Sequence, residues 1–201
     1  MKTFKRLICA VLTATMIFGL TACKAKEFGH KMFADFCEDQ DFDEYDDIDD
    51  FYKEYGEIIS FRAEDKGVYM YATKGDAQDL YDDVLNRFKD FPDYDVSEAT
   101  LFAYSDTDQL TIGYLYTFEE TKEAEKLFRK FSKRYAKDGE SGEEKGYSYS
   151  IDAGKGASGK DMYTGVYLKG NTVLIIRSMG GDSDLTEEFC EHFNVISPAE
   201  A

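Results

Sequence analysis

Residues 100–118 read TLFAYSDTDQLTIGYLYTF, and the pattern in this stretch decides the fold. Leu110, Ile112, Tyr114, Tyr116 and Phe118 alternate with Thr111, Gly113 and Thr117, the period of two expected of a strand with one buried face. Residues 100–105 form a second β-rich run, and Asp106-Thr107-Asp108 supplies turn chemistry between the two, so the stretch predicts an antiparallel hairpin. Immediately afterwards the period changes. Ala124, Leu127, Phe128, Phe131 and Tyr135 recur at spacings of three and four, which places them on one stripe of an amphipathic helix.

Working outward, the same hairpin-helix unit recurs on either side. Residues 58–61 and 68–73 flank a turn at Asp65-Lys66-Gly67, before a helix carrying Ala77, Leu80, Tyr81, Val84 and Phe88. Residues 162–168 and 172–179 flank a turn at Lys169-Gly170-Asn171, before a helix with Leu185, Phe189 and Phe193. The step from turn to helix aromatic is 21 residues from Gly67 to Phe88, and 22 both from Gln109 to Phe131 and from Asn171 to Phe193, so three units share one topology. Tyr147, Tyr149 and Ile151 alternate with Ser148, Ser150 and Asp152 as a further half-buried strand, between polar stretches at 138–146 and 154–161 that are expected to be mobile loops. Phe28, Met32, Phe33, Phe36 and Cys37, then Ile48, Phe51, Tyr52 and Tyr55, mark two short helices before the first unit. The expectation is a single α+β domain over residues 28–197, with an antiparallel sheet of about seven strands covered on its apolar face by amphipathic helices. Tyr163 and Tyr167, with Tyr114 and Tyr116 or their opposite-facing neighbours, then line the other face, either as a contact surface or as half-buried sheet residues.

The N-terminal segment has a different character. Lys2, Lys5 and Arg6 precede an apolar run over residues 7–19 that ends in Leu20-Thr21-Ala22-Cys23. The run is shorter than the ~20 residues a membrane span requires, and its order of basic, apolar and small residues is that of a secretory signal. With a cysteine at the cleavage point, the segment resembles the signal peptides of bacterial lipoproteins. That resemblance implies removal of residues 1–22, acylation of Cys23 with a palmitate-type anchor, a tether over 23–27, and a place on the extracytoplasmic face of the cell membrane. Beyond the signal, the chain is similar in character to small acidic, aromatic-rich lipoproteins of Gram-positive anaerobes, a likeness that supplies no activity.

The formal net charge is −17, and loss of Lys2, Lys5 and Arg6 with the signal leaves −20. A chain so acidic, without a basic stripe, excludes nucleic acid as a partner. Of four cysteines, Cys9 leaves with the signal and Cys23 is taken by the lipid, so Cys37 and Cys190 either pair in an oxidising exterior or stay as two buried thiols. Residues 35–50 hold ten carboxylates and no basic residue, which makes this segment the place to look for a cation. Asp39, Asp41, Asp43, Tyr45, Asp47 and Asp50 occupy the first, third, fifth, seventh, ninth and twelfth positions of a candidate calcium loop. Glu44 stands where such a loop needs glycine, and the alternative is a solvated acidic helix face. Gly154 to Asp161 mimics a phosphate loop, but Asp161 replaces the magnesium-binding hydroxyl and a strand follows instead of a helix. His30 and His192 are the only histidines, neither in a nucleophile motif, and no catalytic residue is assigned.

These readings point to a membrane-anchored module that binds a protein, peptide or envelope ligand, without a cofactor unless calcium fills the acidic segment. The alternatives are a hydrolase of the cell envelope and a calcium-responsive structural protein.

Overall fold

Phe33, Phe36 and Cys37 share one face of helix α1 (His30–Asp39), and all three are buried. The structure, a computed structural model, describes residues 28–61, 65–85, 94–156, 158–181 and 183–201; the signal at 1–22, Cys23, the tether at 23–27 and Phe88 lie outside the described residues. After α1 come strand β1 (Asp43–Tyr45), helix α2 (Ile48–Ile59), strand β2 (Lys66–Thr73) and helix α3 (Lys74–Leu85). The predicted central hairpin follows as β3 (Val96–Ser105) and β4 (Leu110–Phe118), and helix α4 (Thr121–Tyr135) carries the predicted stripe. Four further strands, β5 (Glu140–Glu144), β6 (Tyr147–Lys155), β7 (Asp161–Lys169) and β8 (Thr172–Met179), lead to helix α5 (Asp184–Phe193) and a 3-10 turn (Pro198–Glu200).

The protein is α+β, and its eight strands form one mixed sheet in the order β1-β2-β3-β4-β8-β7-β6-β5. All neighbours are antiparallel except β1 and β2, which run parallel, with Asp43 opposite Val68 and Tyr45 opposite Met70. The first unit therefore departs from the predicted hairpin. Ile58 continues the α2 stripe begun by Phe51 and Tyr55, so its burial with them outweighs the β preference of the Ile58-Ile59 pair, and β1 takes the place beside β2. Helix α2 starts at Asp47, whose carboxylate accepts the N–H groups of Asp49 and Asp50 at 3.0 and 3.1 Å and meets the positive end of the helix. At the opposite edge, residues 140–144, expected in a mobile loop, form β5 against β6. Backbone pairing with β6 holds that acidic strand, which has no apolar side chain to announce it.

Helices cover both faces of the sheet. Residues of α2, α3 and α4 pack with Val68, Met70, Leu101, Tyr114, Tyr116, Val166 and Ile175 on one side. On the other, α1 and α5 pack with Tyr69, Phe102, Leu115, Tyr167, Leu174 and Ile176. Tyr114, Tyr116 and Tyr167 are accordingly buried and Tyr163 half-buried, so they make no exposed contact surface. Glycines explain how the second face closes. A Cβ on Gly113 would stand 2.2 Å from the Phe102 ring on the adjacent strand, one on Gly67 1.9 Å from Phe42, and one on Gly165 2.3 Å from the Tyr167 hydroxyl. Each of these glycines is a notch filled by an aromatic side chain, which lets rings lie over the strands beneath two helices.

The notches supply a stability test. Phe102 is fully buried and cannot swing aside, so Gly113→Ala should destabilise the fold by about 1–3 kcal/mol in urea titration. Gly75→Ala, in helix α3 with open space around the new methyl, should leave stability unchanged or raise it by about 0.5–1 kcal/mol. Equal midpoints for the two variants would contradict this account of the sheet.

Candidate functional site

Two adjoining clefts open at one end of the sheet, near the start of the described chain at Phe28. Their shape comes from turns. Lys145 and Gly146 both have positive φ, 48° and 81°, and form the tight connection between β5 and β6; Gly170, at φ 60°, turns β7 into β8. Asn194 closes α5 in the left-handed conformation, and the N–H of Val195 bonds the Cys190 carbonyl at 2.9 Å. These features bring the hairpin tips beside the end of α5 and the start of the described chain at Phe28.

The larger cleft, of about 410 Å³, runs between Thr121 and Glu125 of α4 and the β5–β6 tip, with Glu143, Glu144, Ser148 and Gly170 along it. The smaller, of about 180 Å³, has walls of Phe28, Met32, Tyr147 and Phe193. Lys145 and Tyr147 line both clefts. Tyr147 is held by its hydroxyl, which accepts the Ile196 N–H at 3.1 Å, and by the Phe28 and Tyr167 rings, each at 6.0 Å. The Lys169 ammonium stands 5.6 Å from the centre of the Phe28 ring, and Lys145 Nζ lies 3.4 Å from Asn194 Oδ1. His192 also lines the smaller cleft; a carbonyl only accepts, so its Nε2–H donates to Met32 O at 2.8 Å.

The residues singled out by sequence are distributed differently. Asp39 ends α1, Asp41 sits in the following turn at φ 56°, Asp43 belongs to β1, and Asp47 and Asp50 are at the start of α2, where Asp47 acts as the cap. Among the described residues no three carboxylate, imidazole or thiol side chains come together in an arrangement able to hold a metal ion. The carboxylates that alternate in sequence are spread over a helix end, a turn, a strand and a helix start, so they do not converge as the loop spacing predicts. Cys37 and Cys190 lie on α1 and α5 in the same buried cluster, and each is a free thiol there. Burial pushes both thiols up, Cys190 to about 12, which leaves them un-ionised and unreactive. The phosphate-loop mimic is a hairpin between β6 and β7, with Gly156 N–H bonded to Lys160 O at 2.8 Å and Lys155 paired with Asp161 at 2.6 Å.

One cluster was not anticipated. His30 Nδ1 meets the Thr100 hydroxyl, while Nε2 lies 3.0 Å from Glu98 Oε2 and 3.1 Å from Thr117 Oγ1, and the ring packs 5.0 Å from Tyr71. Burial lowers the pKa of His30 to about 4. The Glu98 carboxylate favours the charged ring, but it is 42% exposed and shielded by water, so burial prevails. The neutral tautomer satisfies every partner: the Thr100 hydroxyl donates to Nδ1, and Nε2–H faces Glu98 and Thr117. The knot fastens the first turn of α1 to β3 and β4. Nothing in the local sequence marks it, because its members lie 70 and 87 residues apart.

No family model matches the chain, and no curated protein matches it. Among solved structures, the extracellular domain of PknH from Mycobacterium tuberculosis aligns with a TM-score of 0.41 and 8% identity, over 70% of this chain and 89% of that one. No residue role is transferred from it.

Two measurements check this chemistry. Between pH 6.5 and 5 the unfolded chain takes up a proton at His30 that the folded chain refuses, so stability should fall as pH falls, by about 2 kcal/mol across that interval. An NMR titration placing the His30 midpoint near 6.5 would refute the neutral ring. A thiol reagent should modify Cys37 and Cys190 only in denaturant; rapid reaction of the folded chain would contradict their burial.

Proposed function

We propose that the chain is a lipid-anchored extracytoplasmic module that binds a ligand and performs no chemistry on it. The observation that carries this reading is the pair of adjoining clefts that share Tyr147, the smaller of them walled also by Phe28, Met32 and Phe193. From Cys23 to Phe28 the chain spans at most about 18 Å, so an acylated Cys23 holds these clefts close to the bilayer. The histidine and thiol inventory supports binding over catalysis. Both thiols are buried, His30 is locked between threonines, and His192 commits Nε2 to a backbone carbonyl. No helix among the described residues is long and apolar enough to cross a membrane, so on this reading attachment rests on the lipid.

Detergent partition tests the anchor. The wild-type protein expressed in a bacterial host should enter the detergent phase and incorporate labelled palmitate, while Cys23→Ser should remain aqueous and unlabelled. A Cys23→Ser protein that still partitions with detergent would end the lipoprotein reading.

A further inference from the structure

We propose that a third cleft, at the opposite end of the sheet, binds a small organic polyammonium ion of the polyamine class, with Asp65, Asp106 and Glu188 meeting its ammonium groups, Gln109 accepting one of their hydrogens, and the Tyr104 ring facing its hydrocarbon body. The proposal extends the binding-module reading to a separate cavity and names the ligand class.

The cleft, of about 370 Å³, lies beside the turn between β3 and β4. Register sets that turn far from the other two clefts: Leu110 is opposite Met179, whereas Thr117 is opposite Thr172, next to the β7–β8 turn. Its carboxylates come from three places in the chain, with Asp65 before β2, Asp106 in the turn, and Asp184 and Glu188 in α5. No lysine, arginine or histidine among the described residues lines it. Asp65 accepts the Tyr104 hydroxyl at 3.3 Å, Asp106 the N–H and hydroxyl of Thr107, and Glu188 the Gln40 amide at 2.9 Å. All of these donors are neutral, so no cation offsets the three carboxylates, and each has lone pairs to spare. Lys160, which reaches the same turn, goes to Asp108 instead, 3.0 Å from its carbonyl and 3.3 Å from its carboxylate.

Gln109 supplies an independent argument. It is 8% exposed, and its Nε2 donates to the buried Thr111 hydroxyl at 3.1 Å, with Ser178 Oγ at 3.5 Å. The nitrogen of the amide is therefore turned into the sheet. Oε1, the other end of the same planar group, is left at the cleft without a donor among the described residues. Buried acceptors are normally filled, and an ammonium group, which only donates, fills this one.

The size and wall of the cleft select the kind of cation. Among the described residues no three carboxylate, imidazole or thiol groups come together in an arrangement able to hold a metal ion, so these side chains surround a space and do not converge on a point. That space has the volume of a small-molecule site. Tyr104 stacks on Phe42 at 5.6 Å and 14°, and Phe42 is anchored against Phe102 at 5.5 Å, so an aromatic platform belongs to the wall. Such a platform suits methylene groups and the ammonium beside them. Positive charges separated by a hydrocarbon chain match carboxylates separated across a cavity. A merely acidic surface makes a different prediction: carboxylates elsewhere would matter as much, and a small divalent ion would compete.

The test is calorimetric titration of the purified full chain with spermidine in about 0.15 M salt, where charges more than about 8 Å apart are screened. Butylamine and magnesium chloride are the comparators. Spermidine should bind saturably at one site, butylamine at least about tenfold more weakly, and equimolar magnesium should not displace spermidine. Asp106→Asn and Glu188→Gln keep an acceptor oxygen for Thr107 and Gln40 and remove only charge, so each should weaken spermidine about three- to fivefold with an unchanged thermal midpoint. Glu143→Gln, on exposed β5, should leave affinity at the wild-type value. The proposal falls if spermidine gives no saturable heat, if butylamine binds as tightly, if magnesium displaces spermidine, or if Glu143→Gln weakens binding as much as the cleft variants do. None of these outcomes touches the Cys23→Ser partition test, so failure of the ligand class is separable from failure of the anchored-module reading.

Discussion

Phe102 packed into the notch left by Gly113 is the contact on which the rest of the structure depends. The two residues are opposite each other in the register of β3 and β4, at the centre of the sheet. With no Cβ beneath it, the ring settles on the strand and presents its other surface to the helices. Phe33 and Phe36 of α1 lie 5.6 and 5.8 Å from it, Phe189 of α5 5.7 Å, and Phe42 5.5 Å. Aromatic pairs of this kind contribute roughly 0.5–1.5 kcal/mol each beyond the area they bury. Helices that are far apart in the chain are thereby held against one sheet face by a single buried ring and its neighbours.

That arrangement also builds the clefts. The Phe189 and Phe193 rings are 4.8 Å apart, and Phe193 continues the cluster to Phe28 at 6.2 Å, so the wall of the smaller cleft is the outer edge of the same aromatic core. That wall is a rigid part of the core, since Phe28, Tyr147 and Phe193 are all buried. The His30 knot acts at the other end of the same problem. It pins the first turn of α1 to β3 and β4.

Legibility in the sequence followed the range of the interactions. The β3–β4 hairpin, the β7–β8 hairpin and the stripes of α4 and α5 were all readable, because Leu110 to Phe118 or Ala124 to Tyr135 declare their period within one element. Parallel pairing of β1 with β2 was not, since Asp43, Glu44 and Tyr45 have no β signature and owe their conformation to a neighbour 25 residues away. The second covered face was concealed for a related reason. Thr111, Gly113 and Thr117 look like the solvent side of a strand, whereas Thr111 is fully buried and Gly113 accommodates a phenylalanine. The clefts were equally hidden: Lys145, Lys169 and Asn194 are ordinary turn residues until three separate chain reversals bring them around Phe28.

The sequence by itself determined the class of fold, the central hairpins with the helices that follow them, and the acidic charge, because each depends on local periodicity or on composition. Only the tertiary structure decided that both sheet faces are covered, that the alternating carboxylates of residues 39–50 do not converge, and that Cys37 and Cys190 stand as separate buried thiols. The physical reason is that packing acts between residues distant in the chain. A ring such as Phe102 finds its notch on another strand and its helices at either end of the domain, and spacing along one segment carries no record of such meetings.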